Sequence, residues 1–197
     1  MNKLQDFFYF PYDAYSNAKY YIRNRWIDKT HYLKTGLKPG GYYEFDTRII
    51  HGLFNELVDY VEMELAHLSK WDTTKNYTFK NGRCVEAALD YFKEVEDRVE
   101  KTRNRMAEQP KTSPFYSSLI DNLSFDERHL EKTNEIKKLY EWWTKIRPLR
   151  EDPYLAIEEE THGEKWIKLI ELALNKHEEE DTEMLIRLIR TRRSLWT

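Results

Sequence analysis

Apolar residues recur at spacings of three and four along most of the chain, which is the period of an amphipathic helix. A first helix is predicted over about residues 12–29, with Tyr15, Ala18, Ile22 and Trp26 along its apolar edge. The stretch 37–41, LKPGG, then interrupts the pattern with Pro and two Gly. A second helix is predicted from an N-cap at Asp46 or Thr47 to about Ser69.

Four more helices are predicted further along, over about residues 83–108, 126–146, 153–174 and 179–196. Apolar spacing predicts that Trp143 faces inward in the second of these, and that Leu188, Ile189 and Trp196 do so in the last. The third of these begins with Asp152 as N-cap and Pro153 in the first turn, a favourable helix start. The last opens on Glu179, Glu180, Asp181 and Glu183 and closes on arginines, which matches the helix dipole. Residues 70–82 predict a loop, and residues 109–125, with two prolines, predict a linker-like segment.

Composition agrees with a helical fold. The 197 residues include only six Gly and six Pro, so turns are few, while 40% are hydrophobic and 34% charged. We therefore predict an all-α protein of about six helices in a single compact, bundle-like domain spanning residues 1–197. A basic, aromatic N-terminal helix and turn occupy residues 1–40 of that domain.

Cysteine usage and hydropathy favour a cytoplasmic protein. Cys84 is the only cysteine, which rules out an intramolecular disulfide and fits a reducing compartment. The sequence has no apolar run of 18 residues, so no transmembrane helix is expected, and its first residues lack the apolar core of a signal peptide.

A stripe of ionisable residues on the second helix is the strongest candidate for chemistry. Arg48, His51, Asn55, Asp59 and Glu62 follow helical spacing and lie beside an apolar face. That face consists of Ile50, Leu53, Phe54, Leu57, Tyr60, Val61 and Leu68. We expect a half-buried polar network in which Arg48 or His51 pairs with a carboxylate or a backbone group. The alternative is a metal or acid–base site built from Arg48, His51, Asp59 and Glu62.

Other catalytic patterns are weak. Glu-x-x-His spacing occurs at Glu64–His67 and Glu159–His162, but neither pair has a second copy to complete a metal site. The chain contains no G-x-S-x-G elbow and no phosphate-binding motif. We therefore expect no required metal or organic cofactor, and no catalytic residue is assigned outside the stripe.

The N-terminal region carries an excess of positive charge. Residues 1–40 contain seven Lys and Arg against three Asp, although the whole chain has a net charge of −3. Lys19, Arg23, Arg25 and Lys29 are interleaved with aromatic residues, a pattern that can contact phosphates and stack on bases. Weak, nonspecific nucleic-acid binding through residues 12–38 is the prediction from this pattern.

Three segments resemble a family of uncharacterised proteins encoded by tailed bacteriophages. They are residues 28–67 (DKTHYLKTGLKPGGYYEFDTRIIHGLFNELVDYVEMELAH), 139–154 (LYEWWTKIRPLREDPY) and 179–197 (EEDTEMLIRLIRTRRSLWT). The resemblance implies a viral origin, with action in the host bacterial cytoplasm or in the virion. It implies no activity and no catalytic residue, and residues 70–125 lie outside it.

The function predicted from these observations is that of a non-catalytic phage accessory protein that binds a host or phage macromolecule, most simply a protein. The aromatic content, 15% of residues, suits an interface. The alternatives that remain open are an enzyme built on the Arg48–Glu62 stripe and a weak nucleic-acid binder. No membrane association is expected.

Overall fold

The computed structural model of the chain describes residues 15–22, 33–69, 75–156 and 163–192. The protein is all-α, as predicted: it is 79% helical, with six helices and no strand in the described part. The chain divides into two compact units, Met1–Asn55 (unit 1) and Glu56–Thr197 (unit 2). The single domain expected from length stays a prediction, and the two units are described separately.

Unit 1 contains helix α1, described over residues 15–22, and the first part of helix α2, which begins at Phe45. The start of α2 lies close to the predicted N-cap. The residues expected to form the apolar edge of α1, Tyr15, Ala18 and Ile22, are exposed. Helix α2 instead provides buried apolar side chains in unit 1, namely Ile50 and Phe54.

Helix α2 continues in unit 2 as a π-helical segment, Tyr60–Leu65, and ends with one further α-helical turn, Ala66–Ser69. Helix α3 spans Val85–Glu108 and α4 spans Tyr116–Glu141. Helix α4 is extended by a π-helical segment, Trp142–Ile146, and a 3₁₀ turn, Arg147–Leu149. A short α5, Pro153–Ala156, and a long α6, Glu164–Thr191, complete the described chain.

The core of unit 2 lies where α3 packs along α4 and against the end of α2. It is built from buried apolar side chains that recur at helical spacing in all three helices. These are Leu57, Val61, Leu65, Phe92, Val95, Val99, Ile136 and Leu139. Helix α6 packs on α4 and on α5.

A two-residue turn leads into α3. Lys80 and Arg83 form one antiparallel bridge around Asn81 and Gly82, whose φ angles of +53° and +80° suit a tight hairpin turn. Cys84 then caps α3, because its Sγ accepts a hydrogen bond from the Ala87 N–H at 3.5 Å. The described part of the predicted loop, residues 75–82, contains no helix, and α3 begins at Val85, close to the predicted start near residue 83.

Two predicted boundaries are wrong. The linker-like segment 109–125 is helical from Tyr116 onward, so α4 begins ten residues before the predicted start at residue 126. The apolar positions in this first part of α4 lack a regular period. Contacts with α3 hold its continuation: Thr102 Oγ1 donates to Asp126 Oδ2 at 2.9 Å, and Arg103 Nη2 donates to Glu127 Oε1 at 2.7 Å.

The second wrong boundary is in α6. Residues 164–191 form one helix rather than two, so the acidic residues from Glu179 lie in its middle and not at an N-terminus. No Gly or Pro occurs between residues 164 and 191 to end the helix. The dipole explanation for the acidic cluster is therefore wrong, and ion pairing replaces it. The Asp152 cap is present, because Asp152 Oδ1 accepts from the Tyr154 N–H at 3.0 Å.

Candidate functional site

Asp59 and Glu62, two of the predicted stripe residues, meet in unit 2 on the guanidinium of Arg83. Arg83 Nη2 pairs with Asp59 Oδ1, and Arg83 Nη1 donates to Glu62 Oε2 at 3.1 Å. The other oxygen of Glu62, Oε1, accepts from the Tyr140 hydroxyl at 3.0 Å. The main-chain oxygen of Glu62 also accepts from the Cys84 N–H at 2.9 Å. This cluster joins α2, the turn before α3, and α4.

The protonation states of the groups in this cluster favour a structural role, in which the cluster holds helices together. Burial and the nearby charge of Glu62 raise the pKa of Tyr140, so its hydroxyl stays protonated and donates at neutral pH. Burial also raises the pKa of Tyr60 to about 12, and the charges of Tyr91 and Glu64 raise it in the same direction. Both Glu62 oxygens and one Asp59 oxygen already accept hydrogen bonds, which favours a structural role for these carboxylates over a role in proton transfer.

Arg48, His51 and Asn55, the other three stripe residues, lie in unit 1. His51 is half-buried. Arg48 is exposed and lines a cavity formed by the loop at residues 35–43. Sequence reasoning missed Arg83 as the partner of Asp59 and Glu62. The only signal in the sequence was that Arg83 is a basic residue just before a predicted helix, and this position is too common among surface residues to identify a partner.

A second charged cluster fixes the C-terminal half of α6. Asp181 accepts from Arg147 Nη2 at 2.8 Å through Oδ2 and from Arg150 Nη1 at 2.6 Å through Oδ1. Glu180 Oε1 accepts from the Trp142 indole at 2.6 Å. Arg150 Nη2 lies 3.0 Å from Glu180 Oε2, a charge contact without the alignment of a hydrogen bond.

The arginines of this cluster favour the ionised form of the Asp181 carboxyl group, although this group is partly buried. Burial alone would raise the pKa of Asp181, but the hydrogen bonds and charges of Arg147 and Arg150 outweigh it and hold that pKa below its usual range. The Arg150 guanidinium also lies 5.3 Å from the centre of the Trp142 ring, and that of Arg147 lies 4.7 Å from the Trp143 ring. The sequence predicted Trp143 inward; the structure buries Trp142, because Arg150 and α6 cover it.

The last turns of α6 are docked as well. Arg187 holds Glu135 of α4 by two hydrogen bonds, Nε to Oε1 at 2.7 Å and Nη2 to Oε2 at 3.0 Å. Leu188 is buried, whereas Ile189, also predicted to face inward, is exposed. Trp196 lies outside the described residues. The second half of α6 therefore docks through the buried Leu188 together with several charged pairs.

The N-terminal half of α6 is different, because its apolar side chains face several directions. The sequence WIKLIELAL, residues 166–174, has seven apolar residues in nine, and only Ile170 among them is buried. The exposed members are Ile167, Leu169, Leu172 and Leu174. The α5 residues Tyr154 and Leu155 are exposed as well, and the Tyr154 ring centre lies 6.3 Å from that of Trp166 in this half of α6.

The remaining site predictions concern nucleic acid and metal. Lys19 is exposed on α1, whereas Arg23, Arg25 and Lys29 lie outside the described residues, so the predicted basic face stays a prediction. Within the described ranges, no group of three or more His, Cys, Asp or Glu is arranged to hold a metal ion.

Among the helices that the structure describes, none is both long enough and apolar enough to span a bilayer.

Comparison with known proteins adds no assignment: no protein family, no curated protein and no solved structure matches this chain.

Proposed function

We propose that this chain is a non-catalytic accessory protein, of phage origin, that binds another protein through an apolar surface of unit 2. We call this the α5–α6 surface and define it by Tyr154 and Leu155 of α5 and by Leu169 and Leu172, which lie three residues apart on one side of α6. The host bacterial cytoplasm is the proposed place of action, which follows from the resemblance to phage proteins and not from the fold.

The observation that supports the proposal is the apolar character of the first turns of α6. A helix with apolar residues on all sides is normally covered on all sides. Here Leu172 is 67% exposed and Leu155 is 85% exposed. Clustered exposed apolar residues of this kind typically mark a binding surface, whereas isolated ones are common on any protein.

The chemistry of the partner follows from that of the surface. Leu, Ile and Tyr side chains on a helix and its neighbouring short helix suit the apolar face of an amphipathic helix in another protein. Lys165, Lys168 and Glu171, which alternate with these residues along α6, would contribute a polar rim to such an interface.

The alternative enzyme function receives less support. Asp59 and Glu62 already bind Arg83 and Tyr140, and Arg48 and His51 belong to the other unit. A structural role for Asp59 and Glu62 accounts for their contacts with Arg83 and Tyr140.

The test compares three tagged forms of the protein produced in the host bacterium: wild type, the double variant Leu155→Ser/Leu172→Ser, and Ile120→Ser. Ile120 is an exposed apolar residue of α4, so its variant is a matched control for loss of exposed apolar area. We expect a host or phage protein to be retained by wild type and the control and lost by the double variant. The binding constant of the purified partner should then fall at least tenfold in the double variant.

Two results would contradict the proposal. One is a partner that the double variant retains as tightly as wild type does. The other is self-association of the purified wild-type protein that the double variant abolishes, because the surface would then join copies of this chain.

A further inference from the structure

A second surface, in unit 1, has the features of a small-molecule site. A cavity of about 410 Å³ lies between the loop at residues 35–43 and Arg48. That volume falls within the range of about 300–1,000 Å³ that is usual for ligand pockets. The charged residues that line it, Lys38 and Arg48, are both basic. Glu44 and Asp46, the nearest acidic residues along the chain, do not line it.

The loop is held on α2 by close contacts at two positions. The Asn55 side-chain amide donates to the Lys34 carbonyl at 2.9 Å. One turn earlier, a Cβ atom on Gly52 would lie 3.1 Å from the Cβ of Leu33, so the chain passes close to the helix there. The start of the loop is therefore fixed against the helix that carries Arg48.

A tight turn shapes the far side of the cavity. Pro39 and Gly40 occupy the central positions, and the Gly41 N–H donates to the Lys38 carbonyl at 3.5 Å. Gly40 has a φ of +86°, which a type II turn requires at this position. A Cβ atom on Gly41 would lie 2.8 Å from the Tyr43 ring, so this ring packs on the glycine backbone and forms a wall of the cavity.

Within the described ranges, the cations of the cavity lack an acidic partner. In the part of the chain that the structure describes, neither Lys38 nor Arg48 forms an ion pair with a carboxylate. Both side chains are exposed, and their two positive charges match a phosphate monoester, which carries about −1.5 to −2 at pH 7. An internal phosphodiester carries a single negative charge and matches the pair less well.

The aromatic residues supply a surface for a ring. Tyr42 lines the cavity and is 93% exposed, so its ring is available to a ligand, and Tyr43 forms the neighbouring wall. Nucleobases stack on exposed tyrosines with little dependence on which base is present. Two cations beside two aromatic rings are thus complementary to a phosphate group joined to a nucleoside.

We propose that this cavity binds a nucleoside monophosphate, with Lys38 and Arg48 on the phosphate and Tyr42 against the base. The same chemistry occurs in a free nucleotide and at the phosphorylated 5′ end of a strand. The site is separate from the α5–α6 surface, and neither proposal depends on the other.

The experiment is calorimetric titration of the full chain with adenosine 5′-monophosphate, adenosine and inorganic phosphate. We expect saturable binding of the monophosphate and at least tenfold weaker binding of adenosine. Lys38→Gln and Arg48→Gln should each weaken monophosphate binding about tenfold. Tyr42→Ala should weaken monophosphate binding similarly and leave the affinity for inorganic phosphate unchanged.

Arg105→Gln and Lys111→Gln are the matched controls, because each removes one positive charge from an exposed residue that does not line the cavity. Unchanged binding in both controls supports the site. Thermal unfolding of every variant shows whether it is folded. If Arg48→Gln does not fold, the proposal is tested by Lys38→Gln, which changes an exposed loop residue. The proposal is overturned if the monophosphate does not bind saturably, if Lys38→Gln binds it as wild type does, or if adenosine binds equally well.

A further titration distinguishes a free nucleotide from the phosphorylated 5′ end of a strand as the ligand. A tetranucleotide with a 5′ phosphate and the same tetranucleotide without it are titrated in parallel. Tighter binding of the phosphorylated strand than of the free nucleotide supports the site with a strand end as its ligand. Weaker binding of both strands than of the free nucleotide supports the free nucleotide as the ligand. Equal binding of the two strands at the affinity of the free nucleotide overturns the assignment of Lys38 and Arg48 to a terminal phosphate.

Discussion

The two halves of α6 make different contacts with the rest of unit 2. From residue 178 onward, charged side chains reach specific partners: Asp181 binds Arg147 and Arg150, and Arg187 binds Glu135. Before residue 178, apolar side chains face several directions, and only Ile170 is buried. The first half is more hydrophobic, yet the second half is the better anchored one.

This difference shows that the number of apolar residues in a segment does not by itself predict where the segment docks. Charged pairs dock the second half because carboxylates on α6 face arginines at the end of α4, with bond distances of 2.6–3.1 Å. Apolar residues of the first half, in contrast, exceed what the short α5 can cover. Docking within this unit and the proposed partner binding therefore involve different halves of one helix.

The largest expected effect comes from breaking the charged cluster. Asp181→Asn should lower the free energy of unfolding by about 3 kcal/mol, because the guanidinium of Arg150, only 15% exposed, loses its best-aligned charged partner. Urea denaturation monitored by circular dichroism measures the change. Glu179→Gln, on the exposed side of the same helix, is the control and should change stability by less than about 0.5 kcal/mol. Equal stability of the two variants would show that the cluster does not anchor α6.

A pH titration sharpens the same comparison. Arginine partners lower the pKa of Asp181 and of Glu135 in the folded state, so protons bind these groups more strongly in the unfolded state. Their stabilisation is therefore complete above the unfolded pKa values, about 4, and is lost as the pH falls through the lower folded values. The unfolding free energy of wild type should decline below about pH 4.

The double variant Asp181→Asn/Glu135→Gln should show a shallower decline when denaturation is repeated between pH 7 and pH 3. Some dependence should remain, since Lys75 and Tyr77 also lower the pKa of Asp90. An identical decline in wild type and variant would mean that other carboxylates dominate the acid response.

The smallest expected effect lies in the first half of α6. Leu172→Ser should change the free energy of unfolding by less than about 0.5 kcal/mol, because the side chain is largely in water already. Leu188→Ala, in the second half, should cost about 2–3 kcal/mol because Leu188 is buried. Thermal and urea denaturation of the two variants compare the halves directly. A large destabilisation by Leu172→Ser would place this leucine in the core and remove it from the proposed surface.

Helical periodicity determined most of the fold. The apolar spacing before Pro110 predicted α3 to within about two residues, and Asp152-Pro153 marked the start of α5. Both are local signals, in which residues a few positions apart set backbone conformation. The start of α4 and the continuity of α6 were missed, because Ser-rich residues 116–125 and the acidic run from Glu179 have no strong period or breaker of their own.

The polar contacts depended on tertiary structure. The stripe on α2 predicted a buried or half-buried polar network with Arg48 or His51 as a paired member. Asp59 and Glu62 are half-buried, but the cation that pairs with both is Arg83, more than 20 residues away along the chain. With 32 Lys and Arg and 35 Asp and Glu, the sequence offers many equivalent pairings for long, flexible side chains. Only the packing of α2, α3, α4 and α6 decides which carboxylate meets which arginine, and which apolar residues of α6 stay exposed, because both depend on distances between segments that local periodicity does not encode.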